Sequence, residues 1–124
     1  MDSDQIKAQF FAEFKALKDK FEIYDLSIAE ARESNAEHIW KPGVYVFWHP
    51  TRCVIKVGRH LTNARKRALE HLRDHTGGTM SRLDSNARLL FFNVKNVNDK
   101  HWAAALEIYF EEHLTPEIKS DRLG

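Results

Sequence analysis

The chain has 124 residues, of which 43% are hydrophobic and 30% are charged, so it is the size of one domain that buries a core and stays in solution. Its single cysteine, Cys53, excludes an internal disulfide and a cysteine-rich zinc site. No apolar run approaches the roughly 20 residues of a membrane span. The acidic start is unlike a signal peptide, and these features together predict a cytoplasmic protein in a reducing compartment.

Positive charge is concentrated in the middle of the chain, although the net charge is only +1. Between residues 52 and 73 the sequence has one acidic residue, Glu70. The cations of the same segment are Arg52, Lys56, Arg59, Arg65, Lys66, Arg67 and Arg73. A local basic cluster can hold a phosphate without making the whole protein basic. A solvated helix face rich in Arg and Lys has the same composition, and charge alone favours that interpretation.

The residues before Pro42 are predicted to be helical. Phe10, Phe14, Leu17 and Phe21 recur at helical spacing, which predicts an amphipathic helix over residues 4–21. Ser27 and Glu30 fit a capping box for a second, short helix. We therefore expect residues 1–41 to form a helical extension that packs on a domain of residues 42–124, in one globular unit. The aromatic residues Phe10, Phe11 and Phe14 are expected either to pack on that core or to form a homodimer contact.

The remaining elements can be assigned from local patterns. Residues 43–48 and 53–58 are β-branched and aromatic on either side of a turn, which predicts a hairpin. A helix over residues 63–74 capped by Thr62 or Asn63, a strand over residues 88–94, and a helix over residues 100–114 capped by Asn98 or Asp99 follow. This order predicts an α+β fold with a small three-stranded antiparallel sheet flanked by helices.

The hairpin brings a tyrosine near a lysine. A turn centred on Pro50 and Thr51 predicts that Tyr45 lies opposite Lys56, with Cβ atoms about 4.5–5.5 Å apart. A neighbouring cation favours the phenolate form of tyrosine, which can take a proton from an attacking water. The alternative, which is the commoner case for such a pair, is a half-buried strand tyrosine beside a lysine that reaches past it.

The two helices of the core carry further candidates. Arg67 and His71 are four residues apart and share a helix face, where arginine is suited to a phosphate and histidine to water or an oxyanion. Glu107 follows a run of three alanines, which leaves room for an ion and its waters. Each of these features alone is more often a solvated helix face.

Together these residues form an ordered set: Gly43-Val44-Tyr45, Lys56-Val57-Gly58-Arg59, Asn63-x-x-x-Arg67-x-x-x-His71 and Glu107. The set resembles the motifs of the GIY-YIG nuclease superfamily, and the resemblance extends from Pro42 to Lys119. It implies a DNA endonuclease that uses one divalent metal ion, Mg²⁺ or Mn²⁺. It also implies that Tyr45 accepts a proton or orients water, that Arg67 and His71 contact the phosphate, and that Glu107 holds the metal.

The chain departs from the family pattern at three places. Lys56 replaces the second motif tyrosine, where it can activate Tyr45 or donate to the phosphate. The spacing from Gly58 to Arg67 is one residue longer than usual, and without that insertion Lys66 would align instead. Lys119 stands where many members have an asparagine. Further contacts to nucleic acid are expected from Arg59, His60, Arg65, Lys66 and Lys119.

Three functions are compatible with the sequence. The first is an active DNA nuclease, with specificity supplied by dimerisation or by a partner protein, because the chain has no room for a separate DNA-binding domain. The second, motivated by Lys56 and Lys119, is a GIY-YIG-like domain that binds nucleic acid but cuts poorly or not at all. The third is an unrelated small α/β interaction module, which dispersed positions of Tyr45, Arg67 and Glu107 would favour.

Overall fold

The structure is a computed structural model that describes residues 2–51, 53–73 and 86–118, with the side chains of residues 71–73 excepted. Four α-helices and four strands occur in this part of the chain. In chain order they are α1 (Ser3–Glu13), a 3₁₀ segment (Lys15–Lys20), β1 (Phe21–Ser27), α2 (Ile28–Glu33), β2 (Gly43–His49), β3 (Cys53–His60), α3 (Ala64–Arg73), β4 (Arg88–Val94), a second 3₁₀ segment (Val97–Asp99) and α4 (Lys100–His113).

The sheet is antiparallel and has four strands in the order β1-β4-β2-β3, so the expectation of three strands is corrected. The additional strand is β1, which lies in the segment expected to be helical. It pairs with β4 over its full length, from Phe21 opposite Val94 to Ser27 opposite Arg88. Without β1, the largely buried strand β4 would have unpaired backbone groups along one edge, and pairing therefore outweighs the helical spacing of the phenylalanines.

Shorter helices replace the single long helix expected near the N-terminus. Helix α1 ends at Glu13, and its three phenylalanines differ in environment: Phe10 is fully buried, Phe14 packs partly on the core, and Phe11 is 46% exposed. The capping box of α2 is confirmed, since the Ser27 hydroxyl accepts from the amide of Glu30 and the Glu30 carboxylate accepts from the amide of Ser27. The extension therefore packs on the sheet and also contributes a strand to it.

The two faces of the sheet are covered by different helices. Alternate side chains of β2 separate them, because Val44 and Val46 point to one face, whereas Tyr45 and Phe47 point to the other. The face of Val44, called here the α4 face, packs on α1 and α4 and includes Ile6, Phe10, Phe21, Phe92, Leu106 and Phe110. The face of Tyr45, called here the α3 face, packs on α2 and α3 and includes Ala31, Ile39, Ile55, Ala64, Leu89 and Phe91.

The other predicted elements are close to those observed. The hairpin, β4 and α4 lie within two residues of their expected bounds. Asn63 caps α3, because its side-chain oxygen accepts from the amide of Lys66 at 3.0 Å. Asp99 occupies the N-cap position of α4, although its side chain makes no capping hydrogen bond there. None of the described helices is long and apolar enough to cross a membrane.

The outer edge of β3 is covered along only part of its length. The segment after α4 runs beside it, where the amides of Glu117 and Ile118 donate to the carbonyls of Val54 and Ile55 at 3.3 and 2.8 Å. Among the described residues, no strand pairs with this edge at Gly58. Gly58 is nevertheless buried, and the strand becomes partly exposed only at Arg59 and His60.

Candidate active site at the edge of strand β3

The hairpin register differs from the one expected. Tyr45 lies opposite Gly58, and Lys56 lies opposite Phe47. One residue of the difference arises at the turn, where His49 rather than Trp48 pairs with Cys53, and one arises from a bulge that leaves an extra residue in β3 between Val54 and Lys56. A shift of two residues preserves the side-chain face, so Lys56 remains a diagonal neighbour of Tyr45, at about 7–8 Å.

Tyr45 is held against the backbone of β3. Its side chain is 2% exposed, and the hydroxyl and ring lie over Gly58. A Cβ atom at position 58 would be 2.6 Å from Cε2 of Tyr45 and closer still to the hydroxyl oxygen, so any residue larger than glycine would displace the ring. Gly58 therefore allows the Tyr45 hydroxyl to reach the edge strand.

Lys56 is a buried lysine on the same face. It is 7% exposed, and it lies next to Ile118 of the segment that covers this part of β3. Burial of an ammonium group costs free energy unless polar groups compensate it, so such a residue is seldom placed in a core without a specific use. Its position beside Tyr45 agrees with a role in the electrostatics of that hydroxyl.

Glu107 is buried in the middle of an apolar helix stripe. It lies in α4 with Ala103, Leu106 and Phe110, and its side chain is 2% exposed. Nη1 of Arg59 donates to its Oε1 atom at 3.3 Å. A buried carboxylate requires a compensating charge, and Arg59 supplies it on the α4 face. Arg59, expected to contact nucleic acid, is thus bound to the expected metal ligand.

Two consecutive residues of β3 connect the catalytic candidates. Gly58 contacts Tyr45 from the α3 face, and the next residue, Arg59, binds Glu107 from the α4 face. The phenol and the carboxylate therefore contact consecutive residues of the edge strand from opposite faces of the sheet. Both side chains are 2% exposed, and Arg59, which connects them, is partly exposed.

Helix α3 supplies the expected phosphate ligands. The guanidinium of Arg67 lies 3.3 Å from the Glu70 carboxylate, and the Arg67 side chain is 42% exposed. A partly exposed pair of this kind is worth little, so a phosphate can replace the carboxylate. His71 lies one turn after Arg67, but its side chain, like the whole of Lys119, falls outside the described residues.

Arg65 has internal partners. Its Nη1 atom donates to the carbonyls of Ser34 at 2.7 Å and Ala31 at 3.4 Å, and its guanidinium lies 3.6 Å from the centre of the Trp40 ring. Burial lowers the pKa of Arg65 from its usual value. These contacts indicate a packing role, in contrast to the substrate contact expected from its sequence position. Trp40 was not among the residues predicted from the sequence. Its available signal is that it is an isolated tryptophan in a polar loop.

His60 organises the entrance to α3. Its Nδ1 atom accepts from the amides of Thr62 and Asn63 at 3.2 and 3.0 Å and lies 2.7 Å from the Thr62 hydroxyl. Because two amides donate to Nδ1, the neutral imidazole carries its proton on Nε2. That nitrogen is the one left for a substrate. Lys66, in the first turn of α3, is exposed, whereas the other described cations of the basic segment are buried or partly buried.

The expected metal ligand is a single carboxylate. The described residues contain no group of three His, Cys, Asp or Glu side chains that could hold an ion. One carboxylate is enough for a magnesium ion that retains most of its waters, so Glu107 has the ligand chemistry for this role. Its side chain is 2% exposed, so a hydrated ion requires the surrounding side chains to move. Arg59 competes for the same carboxylate, so metal binding there requires Oε2 or a displacement of the guanidinium.

Comparison with known proteins adds no relative. No family model matches the chain, and neither a curated protein nor a solved structure shows significant similarity to it. The resemblance to GIY-YIG nucleases therefore rests on the motif residues of the sequence alone.

Proposed function

We propose that the protein is a metal-dependent endonuclease that hydrolyses phosphodiester bonds in DNA. The observation that carries this proposal is the convergence at the edge of β3, where Gly58 contacts the Tyr45 hydroxyl and Arg59 binds the Glu107 carboxylate. The proposed proton acceptor and a buried acid thereby contact consecutive residues of the edge strand. These are the two groups that phosphodiester hydrolysis with one divalent ion requires from the protein.

Each side chain has a distinct task in this mechanism. The Tyr45 hydroxyl orients the attacking water and accepts its proton, and the positive charge of Lys56 favours the phenolate that does so. Arg67 exchanges Glu70 for a non-bridging phosphate oxygen. A Mg²⁺ or Mn²⁺ ion held by Glu107 would supply charge stabilisation at the scissile phosphate and the leaving oxygen.

The direct test is cleavage of supercoiled plasmid by the purified protein with Mg²⁺ or Mn²⁺. We expect nicked or linear product that disappears with chelator and in the Glu107→Ala variant. Glu107→Gln keeps the shape of the buried side chain and an acceptor for Arg59, so it separates loss of the carboxylate charge from loss of folding. Linear product without a nicked intermediate would indicate a dimer with two active sites.

The matched control is Glu112→Ala, which removes an exposed carboxylate from the same helix. It should cut at the wild-type rate. Cleavage that survives both Glu107 variants in folded protein would contradict the proposal, because the activity would then come from another site or another protein.

A second candidate is a nucleic-acid-binding domain that does not cut. The contact between Arg59 and Glu107 favours it, because this cation already neutralises the carboxylate that a metal ion would need. Protein that binds DNA and fails to cut plasmid, branched DNA and single strands with either metal would support this candidate.

A further inference from the structure

A groove beside α3 is separate from the edge of β3. It has a volume of about 600 Å³ and lies between the end of α2, the loop before β2 and the outer side of α3. The residues that matter for its chemistry are Arg32, Trp40, Arg65, Lys66 and Glu70. Its lining also includes the motif residue Asn63, so the groove adjoins the motif residues of α3, and Trp40 adds an aromatic side chain that the motifs do not contain.

Trp40 forms an aromatic wall of this groove. The residue is 48% exposed, which is unusual for a tryptophan in a folded domain. Arg65 covers one face of its ring at 3.6 Å, so the exposed area comes from the other face and the edges. Two backbone carbonyls, those of Ser34 and Ala31, hold Arg65 in place. The indole is therefore fixed in orientation with one side accessible.

The groove is also positively charged. Arg32 and Lys66 are exposed at its rim, and Arg65 lies behind Trp40. Its acidic member, Glu70, is bound to Arg67 at 3.3 Å, so much of its charge is already offset. A ligand with a flat apolar ring and an attached anion complements an accessible indole flanked by cations.

The position of Glu70 links this groove to the proposed active site. Its carboxylate lines the groove and also holds Arg67, the proposed phosphate ligand. The groove and Arg67 are therefore neighbours on one helix. A nucleic-acid strand with a base in the groove has its backbone phosphates near Lys66 and Arg67.

We infer that the groove binds an unpaired base, which stacks on Trp40 while Lys66 and Arg32 contact the adjoining phosphates. Stacking on a side chain requires a base face that is not covered by its neighbours in a duplex. The groove therefore selects nucleic acid with unpaired nucleotides, as a single strand or a branch, and the proposed function makes that nucleic acid DNA. This inference rests on the proposed function for its link to cleavage, but binding in the groove does not depend on it.

The test measures binding with chelator present, so that cleavage plays no part. Fluorescence anisotropy of a labelled single-stranded DNA oligonucleotide compares the wild type with Trp40→Ala and Trp40→Phe. We expect Trp40→Ala to weaken binding by between about 5-fold and about 160-fold, which corresponds to the loss of one base–aromatic stack. Trp40→Phe should keep most of the affinity, because a phenyl ring still provides a stacking surface.

Two controls make the result specific. Phe11→Ala removes a phenylalanine that is 46% exposed on α1, outside the groove, and should leave binding unchanged. A blunt duplex of the same length should bind more weakly and should not respond to Trp40→Ala. Lys66→Glu, which changes an exposed side chain, should weaken binding to the single strand without a loss of folding.

A spectroscopic measurement reports on Trp40 directly. The difference in emission between wild type and Trp40→Phe isolates Trp40 from the other two tryptophans. The oligonucleotide should quench that difference. An unquenched Trp40, or equal affinity of folded Trp40→Ala and wild type, would overturn the inference.

The outcomes also separate this inference from the nuclease proposal. Trp40-dependent binding without cleavage in Mg²⁺ or Mn²⁺ would support the groove and reject the nuclease. Equal cleavage of single-stranded DNA by wild type and Trp40→Ala would support the nuclease proposal and contradict base binding in the groove. Absence of binding to single-stranded DNA in the wild type would overturn the groove, whatever the cleavage result.

Discussion

The two faces of the sheet differ in the kinds of side chain that they bury. On the α4 face, aromatic residues of α1, β4 and α4 pack directly on one another, with ring centres 5.0 Å apart for Phe10 and Phe92 and 5.1 Å apart for Phe92 and Phe110. On the α3 face, a smaller apolar cluster surrounds Tyr45 and is bordered by buried Lys56. The α4 face is built for burial of apolar area, whereas the α3 face includes polar groups that burial disfavours.

Buried polar groups on the two faces indicate where a functional site is expected in this fold. A polar side chain in a core costs free energy, so its presence marks a place where another requirement outweighs stability. On the α3 face that place is the Tyr45 hydroxyl over Gly58. On the α4 face the exception is Glu107, and its partner Arg59 is the residue next to Gly58. The two groups contact consecutive residues of β3 from opposite faces.

The largest effect is expected from Tyr45→Phe, which removes only the hydroxyl. If this group accepts the proton of the attacking water, the single-turnover cleavage rate should fall by about 10²–10⁴-fold. The free energy of unfolding should change by only about 1 kcal/mol, because the ring and its packing stay. Rates of plasmid cleavage and urea unfolding on the same samples would separate the two quantities.

Tyr24→Phe is the matched control for this prediction. Tyr24 packs on the same cluster, and its hydroxyl accepts from the amide of His38 at 3.2 Å, away from Gly58. It should cost a similar amount of stability and leave the rate unchanged. Equal rates for Tyr45→Phe and Tyr24→Phe would mean that the polar groups of the α3 face serve structure and not catalysis.

The next effect concerns the buried ion pair. Arg59→Met leaves the Glu107 carboxylate without its cation, and loss of one partner of a buried pair costs about 3–5 kcal/mol. Because the Arg59 side chain is 21% exposed, we expect a value near about 3 kcal/mol. Magnesium should raise the thermal unfolding midpoint of the variant more than that of the wild type, since the ion replaces the missing positive charge.

Arg88→Met tests whether this cost is specific to burial. Arg88 binds Asp25 at 3.2 Å, with side chains 34% and 24% exposed, so its loss should cost about 1 kcal/mol or less. A magnesium-independent Arg59→Met variant that is as stable as Arg88→Met would show that the Glu107 carboxylate does not depend on the charge of Arg59.

The smallest effect lies at the edge of the α3 face, in the cap of α2. Hydrogen bonds from the amide and then the hydroxyl of Ser27, together with the charge of Arg88, lower the pKa of Glu30 below its usual value of 4.5. A lowered pKa in the folded state means that the stabilisation is complete above pH 4.5 and is lost as the pH falls through the folded value. Ser27→Ala should therefore cost about 1 kcal/mol at neutral pH and less in acid.

Urea unfolding of the wild type, Ser27→Ala and Glu30→Gln at about pH 7 and about pH 3 checks this prediction. The difference between wild type and Glu30→Gln should shrink at the lower pH, because both side chains are then uncharged. Glu112→Gln, an exposed carboxylate on α4, provides the control. A difference that grows in acid would reverse the sign of the expected linkage.

Elements that depend on interactions between neighbouring residues could be predicted from the sequence. The capping box at Ser27, the cap at Asn63, strand β4 and helix α4 all follow from periodicity or hydrogen bonds within a few residues. The sequence also predicted Tyr45 and Glu107 as site residues, and in the fold they contact consecutive residues of one strand. For these features the local interactions are strong enough to decide the outcome.

The pairing of distant segments could not be predicted from the sequence, because it depends on the tertiary structure. The bulge beside Lys56 moved Tyr45 opposite Gly58, and β1 formed because β4 needed a partner along its edge. The pairing of Arg59 with Glu107, 48 residues later, arises from burial of a carboxylate in α4. Such contacts depend on which surfaces the packed helices cover. The pattern of neighbouring residues in the sequence does not specify those surfaces.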